Sequence, residues 1–248
     1  MGFKIVIPAR YASTRLQGKP LADIGGKPMI VRVAEQAAKT GAEVIIATDF
    51  VKVFDAAKAH GFNVVMTRIN HVSGTDRIAE VAEKMGWAQD TVVVNVQGDE
   101  PLIEPALIEE VAQNLMAHQD AVKSTACHPI ALEEDFLNPN IVKVVMDIAG
   151  YANYFSRAPI PYPRDGLTQT SPIKAMRHIG IYAYRTAFLN AYAHLTPAPT
   201  EQLESLEQLR VLWHGYKISV AVTQHAPATG VDTQADLDRV REIFANLG

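Results

Sequence analysis

Short apolar segments alternate with helical segments through the first half of this 248-residue chain. The segments with the length and β-branched content of buried strands are residues 3–8, 43–48, 63–67 and 91–96. The segments with helical apolar spacing are residues 28–40, 51–60, 75–85 and 105–118. Because this alternation requires right-handed crossovers between parallel strands, it predicts an α/β fold with a mostly parallel sheet and helices on both faces.

The alternation changes after residue 120. Further extended segments are predicted at residues 122–127, 141–147, 151–155, 178–184 and 217–222, and further helices at 201–213 and 233–247. A proline-rich loop at residues 157–164 cannot be helical for long, and residues 167–173 have the character of a mobile segment. We interpret residues 120–200 as an elaboration on the core sheet and residues 1–248 as a single domain.

Composition excludes several classes of protein. The single cysteine, Cys127, excludes an intrachain disulfide framework and a multi-cysteine metal site, and fits a reducing compartment. No apolar stretch approaches membrane-spanning length and no secretory leader pattern is present, so a cytoplasmic location is expected. A net charge of −4 argues against a general nucleic-acid binder.

A basic loop follows the first predicted strand. Arg10, Arg15 and Lys19 lie in it with no acidic residue between them. A strand that ends in such a loop presents positive charge to a polyphosphate. Neither a P-loop nor a Gly-x-Gly-x-x-Gly motif occurs, so side chains must hold the phosphates. The two arginines can form bidentate hydrogen bonds with phosphate oxygens, and Lys19 supplies a compact positive charge.

Two aspartates are candidate magnesium ligands. Asp99 follows Gln97 and Gly98 at the carboxyl end of the fourth predicted strand, where open parallel sheets bind ligands. A carboxylate there suits Mg²⁺, although Asp99 could instead start a turn before Pro101. Asp232 lies before the last predicted helix, where Asp232 or Thr233 as the helix N-cap is the simpler interpretation.

Other candidates are weak when each is taken alone. Residues 73–77 open a helix, where the exposed amides of Ser73 and its neighbours could bind a base or phosphate, or merely cap the helix. The scattered polar residues Arg157, His178, Glu207 and Gln208 could each be structural. No histidine spacing typical of a metal site and no Gly-x-Ser-x-Gly elbow occurs.

Together these segments resemble one family, the 3-deoxy-manno-octulosonate cytidylyltransferases, also called CMP-KDO synthetases. The matching segments are 7–16, 18–21, 26–30, 73–77, 94–101, 154–157, 177–182, 206–210 and 230–233. The first segments are shared loosely with other sugar nucleotidyltransferases, whereas the conjunction with the later ones is much more specific. The family usually has proline where this chain has Gln17, which would loosen the loop without removing a charge.

The resemblance implies a nucleotide-diphospho-sugar transferase-like α/β/α sandwich with a small inserted dimerisation lobe. It implies a Mg²⁺-dependent, cytoplasmic, homodimeric enzyme that transfers CMP from CTP to KDO for lipopolysaccharide biosynthesis. The residues that it implies for nucleotide binding are Arg10, Ser13, Arg15, Lys19, Ser73, Arg77 and Gln97. Those implied for the sugar are Arg157, His178, Tyr182, Glu207 and Gln208, with Lys19, Asp99 and Asp232 catalytic and the two aspartates on the metal. We therefore expect Lys19, Asp99 and Asp232 to converge in one cleft, although they come from opposite ends of the chain.

Three alternatives remain open from the sequence. A cytidylyltransferase for 8-amino-KDO or sialic acid would have a similar fold and phosphate loop and differ within residues 157–208. A glycosyltransferase usually carries Asp-x-Asp at a strand end, whereas the one such spacing here, at residues 236–238, falls inside a predicted helix. A nucleotide-binding regulator would not need Asp99, Arg157 and Glu207 together.

Overall fold

A computed structural model of the chain describes residues 2–11, 16–71, 73–166, 175–224 and 227–247. Ser13 and Arg15 of the basic loop lie outside the described residues, as does the segment 167–173 that was predicted to be mobile. The remaining candidate residues are all described.

The predicted alternation of strands and helices is confirmed. The strands of the described residues are β1 Lys4–Ala9, β2 Asp23–Ile24, β3 Lys27–Pro28, β4 Glu43–Thr48, β5 Asn63–Met66, β6 Val92–Asn95, β7 Ala121–Pro129, β8 Lys143–Met146, β9 Ala152–Ser156, β10 Met176–Arg185 and β11 Lys217–Val222. The helices are α1 Met29–Ala38, α2 Val51–Ala59, α3 Gly74–Lys84, α4 Pro105–Ala117, α5 Glu133–Leu137, α6 Thr186–Tyr192, α7 Pro199–Glu204, α8 Gln208–Trp213 and α9 Gln234–Leu247.

Within the described residues, nine strands form one sheet, whose main path runs β11-β7-β10-β6-β1-β4-β5. Strands β6, β1, β4 and β5 are mutually parallel, and β11 is parallel to β7. Strand β10 is antiparallel to both of its neighbours on this path, β6 and β7. The main path is therefore mostly parallel, as predicted, with β10 reversed beside its centre, and β8 and β9 extend the sheet from β10 by antiparallel pairing.

The two faces of the sheet carry separate apolar layers. On β1, Ile5 and Ile7 pack into one layer and Val6 into the other, because alternate side chains of a strand point to opposite faces. The first layer is covered by α1, α2 and α4, and the second by α3, α6 and α8. This arrangement confirms the α/β/α sandwich.

The second half departs from the prediction in its helices. The single helix predicted over residues 201–213 is two helices, α7 and α8, because Ser205 adopts a left-handed conformation with φ 52°. Helix α6 was not predicted, since it starts directly where β10 ends, with no glycine or proline to mark its start. Helix α5 was also missed; its Phe136 packs in a small cluster with Ile130 and Ile141.

Helix α9 returns the end of the chain to its beginning. Its Leu237 and Val240 pack with Ile24 and Met29, which lie in β2 and at the start of α1. This contact holds the segment before α9 beside the loops that follow β1 and β6. Among the described residues, no helix is both long and apolar enough to cross a membrane.

Candidate active site

Three distant segments meet at the carboxyl ends of β1 and β6. Lys19 Nζ donates to Asp99 Oδ2 at 2.6 Å and to Asp232 Oδ1 at 3.1 Å. The lysine side chain is largely buried at 12% exposure, whereas those of Asp99 and Asp232 are 35% and 49% exposed. The predicted convergence of the ammonium and the two carboxylates is thus present, with the carboxylates on the solvent side.

The backbone before Lys19 turns sharply to place it there. Gly18 has a left-handed φ of 70° and precedes a single 3-10 turn at Lys19–Leu21. The Leu21 amide donates to the Gly18 carbonyl at 2.8 Å, which closes that turn. Glycine adopts this φ without steric cost, so the sequence Gly-Lys-Pro is suited to aim Lys19 back at the sheet.

Asp99 is positioned by a close backbone approach at Gly98. A Cβ atom at Gly98 would lie 2.7 Å from the Pro8 carbonyl oxygen, a distance that real Cβ atoms essentially never show. Only glycine therefore lets the loop after β6 lie against the end of β1. The acidic side chain that follows is brought next to the loop that carries Lys19.

Asp232 is not the cap of the last helix. That cap is Thr233, whose hydroxyl accepts from the Asp236 amide while Asp236 Oδ2 accepts from the Thr233 amide at 2.9 Å. The Val231 amide donates to the Asp99 carbonyl at 2.8 Å, which ties this segment to the loop after β6. Thr233 caps α9, and the Asp232 carboxylate is directed to Lys19.

The arrangement of the two aspartates is compatible with a magnesium ion. No group of three or more metal-binding side chains occurs among the described residues. Mg²⁺, however, is commonly held by one or two carboxylates together with substrate phosphates. Asp99 and Asp232 supply such a pair, and both already contact one cation, the Lys19 ammonium. Burial, reinforced by the charge of Asp99, raises the pKa of neighbouring Glu100 to about 8.

A second polar cluster joins the start of α3 to the start of α8. The Thr75 hydroxyl donates to Glu207 Oε1 at 2.7 Å and lies 3.3 Å from the Tyr184 hydroxyl. A cavity of about 400 Å³ opens beside Glu207 and is also lined by Ser73 and Ser205. The structure therefore brings the segment around Ser73 to the predicted sugar-binding residues.

His178 and Tyr182 lie on β10 near this cluster. The Thr125 hydroxyl lies 2.8 Å from the Ile181 carbonyl oxygen and 3.0 Å from His178 Nε2. When Thr125 donates its single hydrogen to this carbonyl, its oxygen accepts from Nε2, and Nδ1 is then the acceptor of the ring. Burial and the charge of Lys123 lower the pKa of His178 to about 3, so the ring is neutral.

One buried polar atom next to Glu207 has no hydrogen-bond partner among the described residues. It is the amide nitrogen Nε2 of Gln208, a residue that is 3% exposed. Unsatisfied buried groups are rare in folded proteins and need an explanation. A hydroxyl-rich ligand in this part of the molecule would supply the missing partner.

Arg157 keeps its positive charge without an ion pair in the part of the chain that the structure describes. Its Nε donates to the Glu204 carbonyl at 2.6 Å and its Nη1 to the Pro139 carbonyl at 3.1 Å. The Glu204 carboxylate instead accepts from the Arg157 amide and the Ser156 hydroxyl. Two backbone carbonyl groups therefore hold the guanidinium in place, and it can still form an ion pair with a carboxylate.

The other nucleotide-binding candidates differ in their exposure to solvent and in their hydrogen-bond partners. Ser73 forms a capping box with Asp76 at the start of α3, Arg10 is exposed at the end of β1, and Gln97 is half-buried after β6. Arg77 is fully buried; its guanidinium donates to Asp49 Oδ2 at 2.7 Å and also to the Thr67 hydroxyl. The geometry gives Arg77 a role in joining strand ends, and nucleotide binding by it stays a prediction.

Sequence reasoning missed Lys123 on β7. It is 1% exposed, and its Nζ lies 3.7 Å from the ring centroid of Tyr182. The signal was available, because Ala121, Lys123, Thr125 and Cys127 alternate along one face of a strand that is otherwise suited to the core. A lysine in that row predicts a buried cation.

Comparison with known proteins shows that this chain is similar to transferases of cytidylyl groups. A sequence profile described as cytidylyltransferase matches residues 4–218. A solved structure titled as CMP:2-keto-3-deoxy-manno-octonic acid synthetase complexed with CTP is 43% identical, with full coverage of both chains and a TM-score of 0.91.

A second solved structure shows similarity of fold alone. It is a cytidylyltransferase from Leptospira borgpetersenii serovar Hardjo-bovis (strain JB197), at 16% identity and a TM-score of 0.64. The match covers 99% of this chain and 87% of the other.

Proposed function

Because the chain belongs to the cytidylyltransferase family, we propose that it transfers CMP from CTP to 3-deoxy-D-manno-octulosonate (KDO), forming CMP-KDO and pyrophosphate. The observation that carries this proposal is the contact of Lys19 Nζ with the carboxylates of Asp99 and Asp232. This contact brings the basic loop after β1, which is suited to bind phosphate, next to two carboxylates that are suited to bind Mg²⁺. The 43% identity to a KDO-activating synthetase complexed with CTP supports the choice of both substrates.

In the proposed reaction the anomeric hydroxyl of KDO attacks the α-phosphorus of CTP. The new bond joins that oxygen to phosphorus, the bond to the β-phosphate oxygen breaks, and the hydroxyl proton passes to solvent. Arg10, Arg15 and Lys19 offset the charge of the triphosphate, and Ser13 donates to it. Such transfers are accelerated mainly by positioning and charge neutralisation.

Asp99 and Asp232 would hold Mg²⁺ in this proposal. When bound, the ion supplies positive charge at the α-phosphate and lowers the pKa of the attacking hydroxyl. Lys19 keeps the two carboxylates together when the nucleotide is absent. When the nucleotide binds, the Lys19 ammonium can also contact the phosphate oxygens. Its contacts with the two carboxylates then weaken, so nucleotide binding frees the carboxylates to bind the metal ion.

The proposed sugar site uses the second polar cluster and Arg157. Arg157 pairs with the KDO carboxylate, which the lack of a carboxylate partner among the described residues supports. The sugar hydroxyls are bound by His178, Tyr182, Glu207 and Gln208, and the unpartnered Nε2 of Gln208 supports that role. Base choice is assigned to Ser73 and Arg77, and Gln97 contacts the base or the sugar.

The proposal extends to the setting of the enzyme. CMP-KDO is the activated sugar for lipopolysaccharide, and the reaction is placed in the cytoplasm, where CTP is made. A homodimer is proposed through the elaboration at residues 120–200, because β9 is an edge strand and Leu137 and Tyr162, which belong to the same part of the chain, are 55% and 80% exposed. Light scattering during gel filtration tests the dimer independently of the activity.

The test of the function is pyrophosphate release by the purified protein with CTP, Mg²⁺ and KDO. Matched reactions replace CTP by ATP or UTP, and KDO by 8-amino-KDO or sialic acid. We expect turnover with CTP and KDO to exceed every other pair by at least an order of magnitude. Faster turnover with sialic acid or 8-amino-KDO would reassign the sugar, and no turnover with any pair would reject the function.

A further inference from the structure

Lys123 is a buried cation beneath the proposed sugar site. It lies on β7, between Tyr184 of β10 and Ile218 of β11 in the register of the sheet. The residue is 1% exposed. Burial of a charged group is costly unless partners compensate for it, so the surroundings of its ammonium are informative.

Two aromatic rings of β10 lie against this ammonium. Lys123 Nζ lies 3.7 Å from the ring centroid of Tyr182 and 5.0 Å from that of Tyr184. Among the described residues no carboxylate forms an ion pair with it; Glu207 and Glu201 act on it only through longer-range charge. Attraction between a desolvated ammonium and a tyrosine face contributes about 2 kcal/mol, so the cation and the rings hold one another in place.

The rings connect Lys123 to the sugar-binding candidates. Tyr182 is itself one of them. The Tyr184 hydroxyl lies 3.3 Å from Thr75 Oγ1, and the Thr75 hydroxyl donates to Glu207 Oε1 at 2.7 Å. A shift of Lys123 would therefore move two groups that face the sugar, one directly and one through this chain of contacts.

We propose that Lys123 is a positioning residue for the acid sugar, whose ammonium holds the Tyr182 and Tyr184 rings and thereby fixes the Tyr182 hydroxyl and the Glu207 carboxylate. The inference rests on the proposed function, since it assigns a role within that site. A cation against the ring also withdraws electron density from the phenol, which strengthens the Tyr182 hydroxyl as a donor to a sugar oxygen.

The charge of Lys123 can be removed without mutation. Burial lowers its pKa to about 8, although the charges of Glu207 and Glu201 oppose that shift. The titratable groups that face it are Tyr182, Tyr184 and His178 on β10, Glu201 on α7 and Glu207 before α8. Burial raises the pKa values of both tyrosines and lowers that of His178 to about 3, so these three stay neutral between pH 7 and 9.5.

The experiment measures KM for KDO and for CTP from pH 7 to 9.5. In the unaltered enzyme we expect KM for KDO to rise about tenfold as Lys123 loses its proton, while KM for CTP stays within about twofold. Lys123→Met should have the raised KM already at pH 7 and no rise with pH. Lys123→Arg, which keeps its charge, should have a low and constant KM for KDO.

Lys217→Met is the matched control, because Lys217 is an exposed lysine paired with Asp120 away from the site. It should reproduce the pH profile of the unaltered enzyme. A KM for KDO that is flat with pH in the active, unaltered enzyme would overturn the role of Lys123 even if Lys123→Met failed to fold. A rise that persists in Lys123→Arg would also overturn it. Absence of any KDO turnover in the unaltered enzyme would reject the proposed function instead.

Discussion

Lys19 Nζ lies 2.6 Å from Asp99 Oδ2, although 80 positions separate the two residues in the chain. The contact exists because parallel strands β1 and β6 end at the same edge of the sheet and because Gly98 allows the two loops to touch. It joins the cation that we propose binds phosphate to a carboxylate that we propose holds the metal. Most of the proposed chemistry depends on this contact.

Asp99→Asn should lower kcat with CTP and KDO by at least about 100-fold, because the amide keeps the shape of the side chain but removes the charge that holds the cation. The melting temperature should change little, since the Asp99 side chain is partly exposed. Asp238→Asn, on an exposed face of α9, is the control and should keep normal turnover. Near-normal turnover of Asp99→Asn would remove Asp99 from the metal.

Arg157→Ala should raise KM for KDO by roughly 10- to 100-fold, since a hydrogen bond to a charged group contributes about 1.5–3 kcal/mol. KM for CTP should stay within about twofold. Arg164→Ala, which removes an exposed arginine from the proline-rich loop, serves as the control for general loss of positive charge. If KM for CTP rose and KM for KDO did not, the assignment of Arg157 to the sugar carboxylate would be reversed.

Gly98→Ala should destabilise the fold by about 1–3 kcal/mol, because its Cβ would lie 2.7 Å from the Pro8 carbonyl oxygen and the backbone must shift. The shift also moves Asp99, so kcat should fall with stability. Urea denaturation measures the first effect and steady-state kinetics the second. Gly2→Ala, where a Cβ would meet nothing within 4 Å, is the control; an equal stability for both variants would refute the close approach.

Glu80 should make the free energy of unfolding decrease as the pH falls into the acidic range. Burial alone would raise its pKa, but hydrogen bonds from Lys84, the Arg68 amide and His71 outweigh burial and lower the pKa from 4.5 to about 2. The group therefore stabilises the fold above pH 4.5, and this contribution is lost as pH falls towards 2.

Glu80→Gln is thus expected to lower the free energy of unfolding by about 2 kcal/mol at pH 7, allowing for solvent screening, and by much less at pH 2.5. Urea denaturation at several pH values measures the difference. Glu83→Gln, an exposed change on the same helix, should have little effect at either pH. A Glu80→Gln deficit that is constant with pH would contradict the assignment.

The sequence was most informative where local pattern and tertiary structure agree. Strands β1, β4, β5 and β6 and helices α1 to α4 follow from apolar spacing, and Gly41, Gly61 and Gly86 end three of those helices at positive φ. The short hairpin of β2 and β3 was not predicted. The convergence of Lys19 and Asp99 followed from the geometry of parallel strands. These features depend on apolar periodicity and on connection rules that only a few chain topologies satisfy.

Other features depend on contacts that no local pattern encodes. The break between α7 and α8 occurs at Ser205, a residue type with no strong preference for positive φ. The buried environment of Arg77 is set by Asp49 and Thr67, which lie on other elements. Lys123 is held by rings from β10, so its role required the pairing of β7 with β10 to be known.

We propose above all that this protein joins CMP to the anomeric oxygen of KDO. The most direct test is phosphorus NMR and mass spectrometry of a completed reaction with CTP, Mg²⁺ and KDO. We expect one phosphodiester product with the mass of CMP-KDO and one equivalent of pyrophosphate, with neither formed at a comparable rate by Asp99→Asn. Recovery of unchanged CTP and KDO, or of CMP and phosphate without a sugar adduct, would contradict it.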